Sequence, residues 1–174
     1  MRAIHLTQGK VAIVDDADYK FLNQYKWYAL KRGYTYYAMR YARKSDLQKG
    51  PIIMHKVILN AIGADGMVET DHINGNGLDN RRSNLRACNT AQNQWNQRLR
   101  SDNKTGFKGV RIDKRSGVNP FIVLIRVNKK RIYIGCYQTA EEAARMYDVA
   151  AIKHHGEFAM TNEMLGLYLK RDAI

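Results

Sequence analysis

Between Asp71 and Asn93 the chain reads DHINGNGLDNRRSNLRACNTAQN. An acid beside an imidazole, Asp71 and His72, is followed by a loop of Gly and Asn, a returning β-type segment over Asn84 to Cys88 and a helix beginning near Thr90. That order describes a β-hairpin packed on a helix, a unit able to focus three polar side chains on one phosphate. Asp71 and the amide oxygen of Asn93 are hard donors that could together hold one divalent cation and leave positions open for water and phosphate oxygens. His72, with an unperturbed pKa of about 6.5, is the neighbouring side chain suited to deprotonate a water near neutral pH. Neighbours on a regular strand point to opposite faces, so Asp71 and His72 can serve one phosphate only where the strand ends or twists. Gly75 and Gly77 supply such an ending.

With the upstream phrase MHKVIL around His55, the phrases DHINGN and NRRSNLR resemble the HNH nuclease motif of the ββα-metal fold. The similarity is to the variant in phage and intron-encoded homing endonucleases and runs over roughly positions 50 to 97. It implies that Asp71 is the metal-binding acid and Asn93 the second metal ligand. His72 then stands as the general base and Asn84 as the central Asn of the catalytic motif, bracing the hairpin. Arg86 would lie close enough to touch phosphate. Many members have His at the last motif position; Asn93 there favours an oxygen-liganded, magnesium-type site, with manganese as the substitute. His55, amid Ile52, Ile53, Met54, Val57 and Ile58, reads as a core or supporting histidine rather than one that touches the reacting atoms. The resemblance further implies a 5′-phosphate and a 3′-hydroxyl as products. One such site cuts one strand, so a monomer nicks, and a double-strand break needs a dimer or two events.

A second concentration of chemistry lies downstream. Residues 104 to 137 hold nine basic side chains (Lys104, Lys108, Arg111, Lys114, Arg115, Arg126, Lys129, Lys130 and Arg131) against one acid, Asp113. Alternation over Phe121 to Asn128 marks a strand, and Asn128 to Lys130 turns it into Arg131 to Tyr137. The alternation puts Arg126 on one face, with Arg131, Tyr133 and Tyr137 together on the next strand, and leaves Phe121, Val123, Ile125, Ile132 and Ile134 for a core face. A helix follows over Ala140 to His154, with capping-box spacing at Thr139 and Glu142 and a stop at Gly156. A twisted sheet with arginines on one face can enter the DNA major groove. The phrases FKGVR, FIVLIR, RIYIGCY and TAEEAARMYDVAA resemble the plant Apetala/ethylene-response-factor DNA-binding domain. By that resemblance Lys108, Arg111, Arg126, Arg131 and Tyr133 fall on positions that touch DNA, with Lys108 where Arg is usual and Tyr133 where Trp is usual. Lys114, Arg115 and Lys129 extend the same cationic surface.

These segments need elements to hold them. The chain has 174 residues, a net charge of +13 and 45% hydrophobic composition, enough for a folded core and far more cationic than solubility requires. A polyanionic partner, double-stranded DNA, is the first expectation. The isolated cysteines Cys88 and Cys136 exclude a C-x-x-C zinc ribbon and a disulfide framework and fit a reducing compartment. MRAIHLTQGKVAIV lacks the apolar run of a signal peptide, and no stretch reads as spanning a membrane. A phage or mobile-element origin, and with it the cytoplasm of a bacterial host, follows from the resemblance alone.

The expected fold class is α+β in three modules. Residues 1–50 form a β-rich piece with seven of the eleven tyrosines, which either fill a small core, the favoured reading, or stack on nucleic acid. Its runs are Val11 to Val14, Lys26 to Lys31 and Tyr34 to Tyr41, broken at Gly33, with a short helix over Asp16 to Gln24. Residues 51–100 form the ββα-metal core, entered by an apolar helix over Ile52 to Ala61 that Gly63 closes. Residues 101–174 form a three-stranded antiparallel sheet packed on one helix, with Ser101 to Thr105 as the joint. A cutter and a reader on one chain make a site-specific, metal-dependent DNA endonuclease of the homing type. Two rivals share the basic surface: a DNA-binding transcriptional regulator with an inactive nuclease motif, and an RNA-directed or structure-specific nuclease. Monomer and homodimer remain equally open.

Overall fold

The computed structural model describes residues 1–46, 49–61, 69–115 and 117–169 and divides into two compact units, Met1–Asn93 and Gln94–Ile174. Helices and sheets are both present, in the order expected of an α+β chain.

The N-terminal unit opens with an antiparallel hairpin of β1 (Arg2–His5) and β2 (Val11–Val14), followed by α1 (Asp16–Leu22). A three-stranded antiparallel sheet in the order β3-β4-β5 comes next, built from Tyr28–Arg32, Thr35–Tyr41 and Pro51–Ile53. Gly33, in the left-handed region at φ +58°, makes the β3–β4 turn. Then follow α2 (Met54–Ala61), the paired strands β6 (Glu69–His72) and β7 (Leu85–Cys88), and α3 (Thr90–Trp95). The helix expected from Ile52 starts two residues later. Pro51 fixes an extended φ at the first position of an edge strand, and β-branched Ile52 and Ile53 pair with Arg40 and Met39, so the segment adds to the sheet first. Gly63 lies outside the described residues.

One apolar core serves this whole unit. Ile4, Val14, Leu22 and Trp27 pack with Ile52, Met54, Ile58 and Leu85, so residues 1–50 share their interior with the hairpin-and-helix segment. Of the tyrosines there, Tyr19 and Tyr25 pack against this core, while Tyr34 and Tyr41 are exposed. The loop between β6 and β7 is fastened to the same scaffold. Ile13 N–H donates to Leu78 O at 2.8 Å and Asn80 N–H donates to Ile13 O at 2.8 Å, a parallel bridge between β2 and the loop. Arg82 reaches Asp18 with both Nε and Nη2, at 2.8 and 2.6 Å, and its backbone N–H donates to Asp15.

In the C-terminal unit β8 (Val110–Ile112), β9 (Phe121–Val127) and β10 (Lys130–Tyr137) form an antiparallel sheet in the order β10-β9-β8. Asn128 and Lys129, both at positive φ, make a two-residue turn whose twist matches the strands it joins. α4 (Ala140–His155) lays Ala143, Ala144, Tyr147 and Ala151 against Phe107, Val110, Val123 and Ile125, the small side chains allowing close approach. Its capping box forms as expected: Thr139 Oγ1 accepts from Glu142 N–H at 3.1 Å, and Glu142 returns a bond to Thr139 N–H. A register shift between Tyr133 and Gly135 changes the alternation on β10. Tyr137 therefore packs on the core instead of joining Tyr133 on the outer face, and Ile132 is left exposed on the edge strand.

Gly77 has no room for a side chain: a Cβ there would stand 2.5 Å from Tyr36 O and 2.7 Å from the Tyr37 ring. Gly77→Ala is expected to push the loop off the sheet and to destabilise the N-terminal unit by about 1–3 kcal/mol. Urea denaturation checks this, and an unchanged midpoint would contradict the loop's fastening.

Candidate active site

β6 ends at His72, and both residues still pair in register, Asp71 with Arg86 and His72 with Leu85, so their side chains leave opposite faces of the strand. Both are buried, Asp71 at 4% and His72 at 5% exposure. The loop leaves immediately, with Gly75 at φ +69°.

His72 stands among aromatic rings. His55 lies edge-on at 4.9 Å between centroids and Tyr37 at 5.8 Å, and the two also meet each other at 5.6 Å. Its Nε2 is 3.1 Å from Asn80 Oδ1. An amide oxygen only accepts, so the bond requires Nε2–H and leaves the basic lone pair on Nδ1. Asn80 is fully buried, and its Nδ2 faces Met54 Sδ at 3.7 Å, a weak acceptor that suits the donating end of the amide. Burial holds the His72 pKa below the ordinary imidazole value, although Asn80, Asp71 and Asp79 pull the other way. A histidine so placed is neutral, and therefore basic, at pH 7.

Asp71 faces Arg86 across the hairpin, with Nε at 2.8 Å and Nη2 at 2.7 Å, both on Oδ2. Arg86, read as a phosphate contact, thus stands on the acid itself. Asn84 is a brace: its Nδ2 donates to Asp79 O at 2.7 Å and Asn74 Oδ1 at 3.0 Å, and its Oδ1 accepts from Asn74 N–H. Asp79 continues the lattice through Arg81 and Asn74 Nδ2. Asn93, on α3, donates Nδ2 to Glu69 Oε2 at 2.6 Å. Glu69 and Asp71 share a face of β6 by alternation, and Glu69 is the one that Asn93 bonds.

That donor set suits a hard cation. Asp71 offers a carboxylate, and Asn93, its nitrogen engaged by Glu69, offers its carbonyl oxygen. Among the described residues no group of three or more His, Cys, Asp or Glu side chains is placed to hold a metal ion. A cavity of about 340 Å³ adjoins the site, lined by Arg32, Tyr37, His55, Lys56, Thr70 and Asn93 among others.

The C-terminal unit displays most of the expected cations on one surface. Arg126 pairs with Arg131 in the register, Tyr133 with Leu124 and Arg111 with Ile122, all opposite the face that α4 covers. Arg111, Arg126, Arg131 and Tyr133 are exposed, as are Lys114, Arg115 and Lys129 in the connecting turns. Arg115 is bonded to Asp113 at 3.2 Å. Lys108 is not brought to this surface. Its Nζ donates to Trp95 O at 2.6 Å and Gln97 O at 2.7 Å, and burial pulls its pKa down to about 8.

Asn80, Tyr37 and Glu69 were not singled out by their sequence. Asn80 is one of several asparagines in a segment that reads as a turn, and Glu69 and Tyr37 reach the site only through strand pairing and packing.

Over 161 residues, 90% of this chain and 77% of the relative, the sequence is 31% identical to an uncharacterized HNH endonuclease of Acanthamoeba polyphaga mimivirus. The chain belongs to the HNH endonuclease family. A shorter similarity covers 24% of this HNH protein: it is 51% identical over 41 residues to an AP2-like ethylene-responsive transcription factor of Arabidopsis thaliana and 48% over 42 residues to a second ethylene-responsive factor of that plant. Those stretches span 12% and 10% of the plant proteins. No family profile and no solved structure matches the chain.

His55 makes the unit sensitive to acid. It is buried, its Nδ1 has no hydrogen-bond partner, and burial pushes its pKa down to about 3. Between its ordinary value and about pH 3 the unfolded chain takes up a proton that the native chain refuses, so stability falls as pH falls through that window. The slope from this group is at most about 1.4 kcal/mol per pH unit. His55→Leu is expected to flatten the acid limb in urea titrations between neutral pH and about pH 4. An equally steep limb in the variant would contradict the neutral, buried state.

Proposed function

We propose that this HNH family member is a metal-dependent endonuclease that hydrolyses phosphodiester bonds of double-stranded DNA at a defined site, in the manner of homing enzymes. The observation that carries the reading is the buried, neutral His72, with Asn80 fixing its tautomer, one residue from the Asp71 carboxylate at a strand end.

The chain's own residues divide the work. Nδ1 of His72 takes the proton from the attacking water, whose oxygen bonds to phosphorus as the bond to the departing 3′-oxygen breaks. The products are a 5′-phosphate and a 3′-hydroxyl. Asn80 holds the ring so that the lone pair stays at Nδ1, and the rings of His55 and Tyr37 keep bulk water from it. Asp71 and Asn93 would hold a divalent cation, magnesium by donor type with manganese as substitute, which neutralises charge on the phosphate and leaving oxygen. The exposed arginines of the C-terminal sheet supply affinity and register through phosphate contacts, with some base readout. With one His72 per chain, a monomer nicks.

One observation favours a second reading. Arg86 already neutralises Asp71, and if it stays there on DNA the protein is a binding regulator that cuts nothing. Supercoiled-plasmid cleavage decides between them. With magnesium the wild type is expected to yield open-circular product and with chelator none. His72→Ala should lower the rate by about 10²- to 10⁴-fold with DNA affinity kept. Wild type that binds DNA tightly and cuts under no metal would establish the regulator.

The second unit has its own test. Affinity should fall with salt, and Arg126→Ala should make the log-log slope shallower by about one phosphate's worth. A salt-independent affinity would overturn the assignment of the cationic face.

A further inference from the structure

Asn93 differs from the histidine that many relatives of this motif carry in one physical respect. An amide presents a donor on one side and an acceptor on the other in nearly the same shape, so rotation by half a turn exchanges NH₂ for C=O. Only the carbonyl oxygen can bind a hard cation. A ligating asparagine therefore needs something to keep its oxygen toward the metal.

Glu69 meets that need. It lies two residues before Asp71 on β6, opposite Cys88, where the hairpin hands over to α3. Its two carboxylate oxygens are divided between two residues three apart on that helix. Oε1 accepts from Thr90 Oγ1 at 2.9 Å and Oε2 accepts from Asn93 Nδ2 at 2.6 Å. A carboxylate only accepts, so this bond exists with Asn93 in one orientation, nitrogen toward Glu69 and oxygen away from it.

Resting on the metal-dependent reading above, we infer that Glu69 is a positioning residue that locks the Asn93 amide with its oxygen presented to the divalent cation, Thr90 in turn fixing the Glu69 rotamer. Partners of this kind, behind the ligand itself, typically change metal affinity by about 10- to 100-fold.

The test is Mn²⁺ uptake by the full chain, read from the loss of the free-ion paramagnetic resonance signal, with metal-free thermal melts alongside. Glu69→Ala is expected to weaken Mn²⁺ binding by about 10- to 100-fold. Glu69→Gln should recover most of it, since its oxygen can take the Asn93 bond while its amide nitrogen donates to Thr90 Oγ1. In the Asn93→Asp background, where either oxygen can ligate, Glu69→Ala should cost no affinity. That last comparison separates orientation from damage to the fold, which would lower affinity in both backgrounds. Equal binding by wild type and Glu69→Ala would overturn the inference, as would Glu69→Gln binding no better than Glu69→Ala. Wild type that takes up no Mn²⁺ would overturn the metal-dependent reading itself, a distinguishable result.

Discussion

The hydrogen bond between His72 Nε2 and Asn80 Oδ1 is the interaction on which the N-terminal unit turns. A neutral imidazole has one accepting nitrogen, and a fixed hydrogen bond at the other decides which one that is. Asn80 is held by its own backbone on Ile13, by Met54 behind its amide nitrogen, and by a loop that Gly77, Asn84 and Arg82 fasten at separate points. Three of these fastenings lead to different parts of the first fifty residues: β2 for Asn80, Thr35 on β4 for Gly77, and Asp15 with Asp18 at the start of α1 for Arg82. The N-terminal segment thus acts as the socket of the loop between β6 and β7.

Charge in this unit is arranged for structure. Arg40 is paired with Asp46, Arg81 with Asp79, Arg82 with Asp18 and Arg86 with Asp71, and in each pair the acid's side chain is at most 15% exposed. Arginines so engaged have little field left for a polyanion, and freeing one would strand a buried carboxylate. Arg86 is the instructive case. It neutralises the acid that a cation would otherwise neutralise, so a metal arriving at Asp71 would meet a carboxylate already held by a guanidinium. The guanidinium and the incoming ion then compete for one carboxylate.

The order of elements around the site is legible in the sequence, and much of what supports them is not. The strand ending at His72, the return over Leu85 to Cys88 and the helix from Thr90 follow from local signals: an acid-imidazole pair, a Gly and Asn loop, and turn chemistry that few other arrangements satisfy. The capping box at Thr139 is equally local. What could not be read depends on register. A shift between Tyr133 and Gly135 turns Tyr137 inward, and alternation counted along one strand cannot see a bulge created by its partner. Lys108 looked like a basic contact because charge is visible in a sequence, whereas the two carbonyls that capture its ammonium are not. Glu69 and Asn80 were hidden for the same reason: each acts through residues brought near by pairing and packing, not by spacing.

The two units use their arginines differently. On the outer face of the C-terminal sheet Arg111, Arg126 and Arg131 have no acidic partner among the described residues, and the apolar face beneath them is filled by small alanines that let α4 sit close. Like charges opposite one another, as Arg126 and Arg131 are in the register, oppose pairing of the strands. A sheet stabilised only by its own contacts would not retain that repulsion. The hydrophobic face and the Asp148–Asn162–Tyr168 network, in which the Asp148 carboxylate accepts from Asn162 and Tyr168 at 2.8 Å each, hold the unit together without help from the outer face. The outer face is therefore free to carry uncompensated charge, and a phosphate backbone laid on it would relieve the repulsion that folding alone leaves in place.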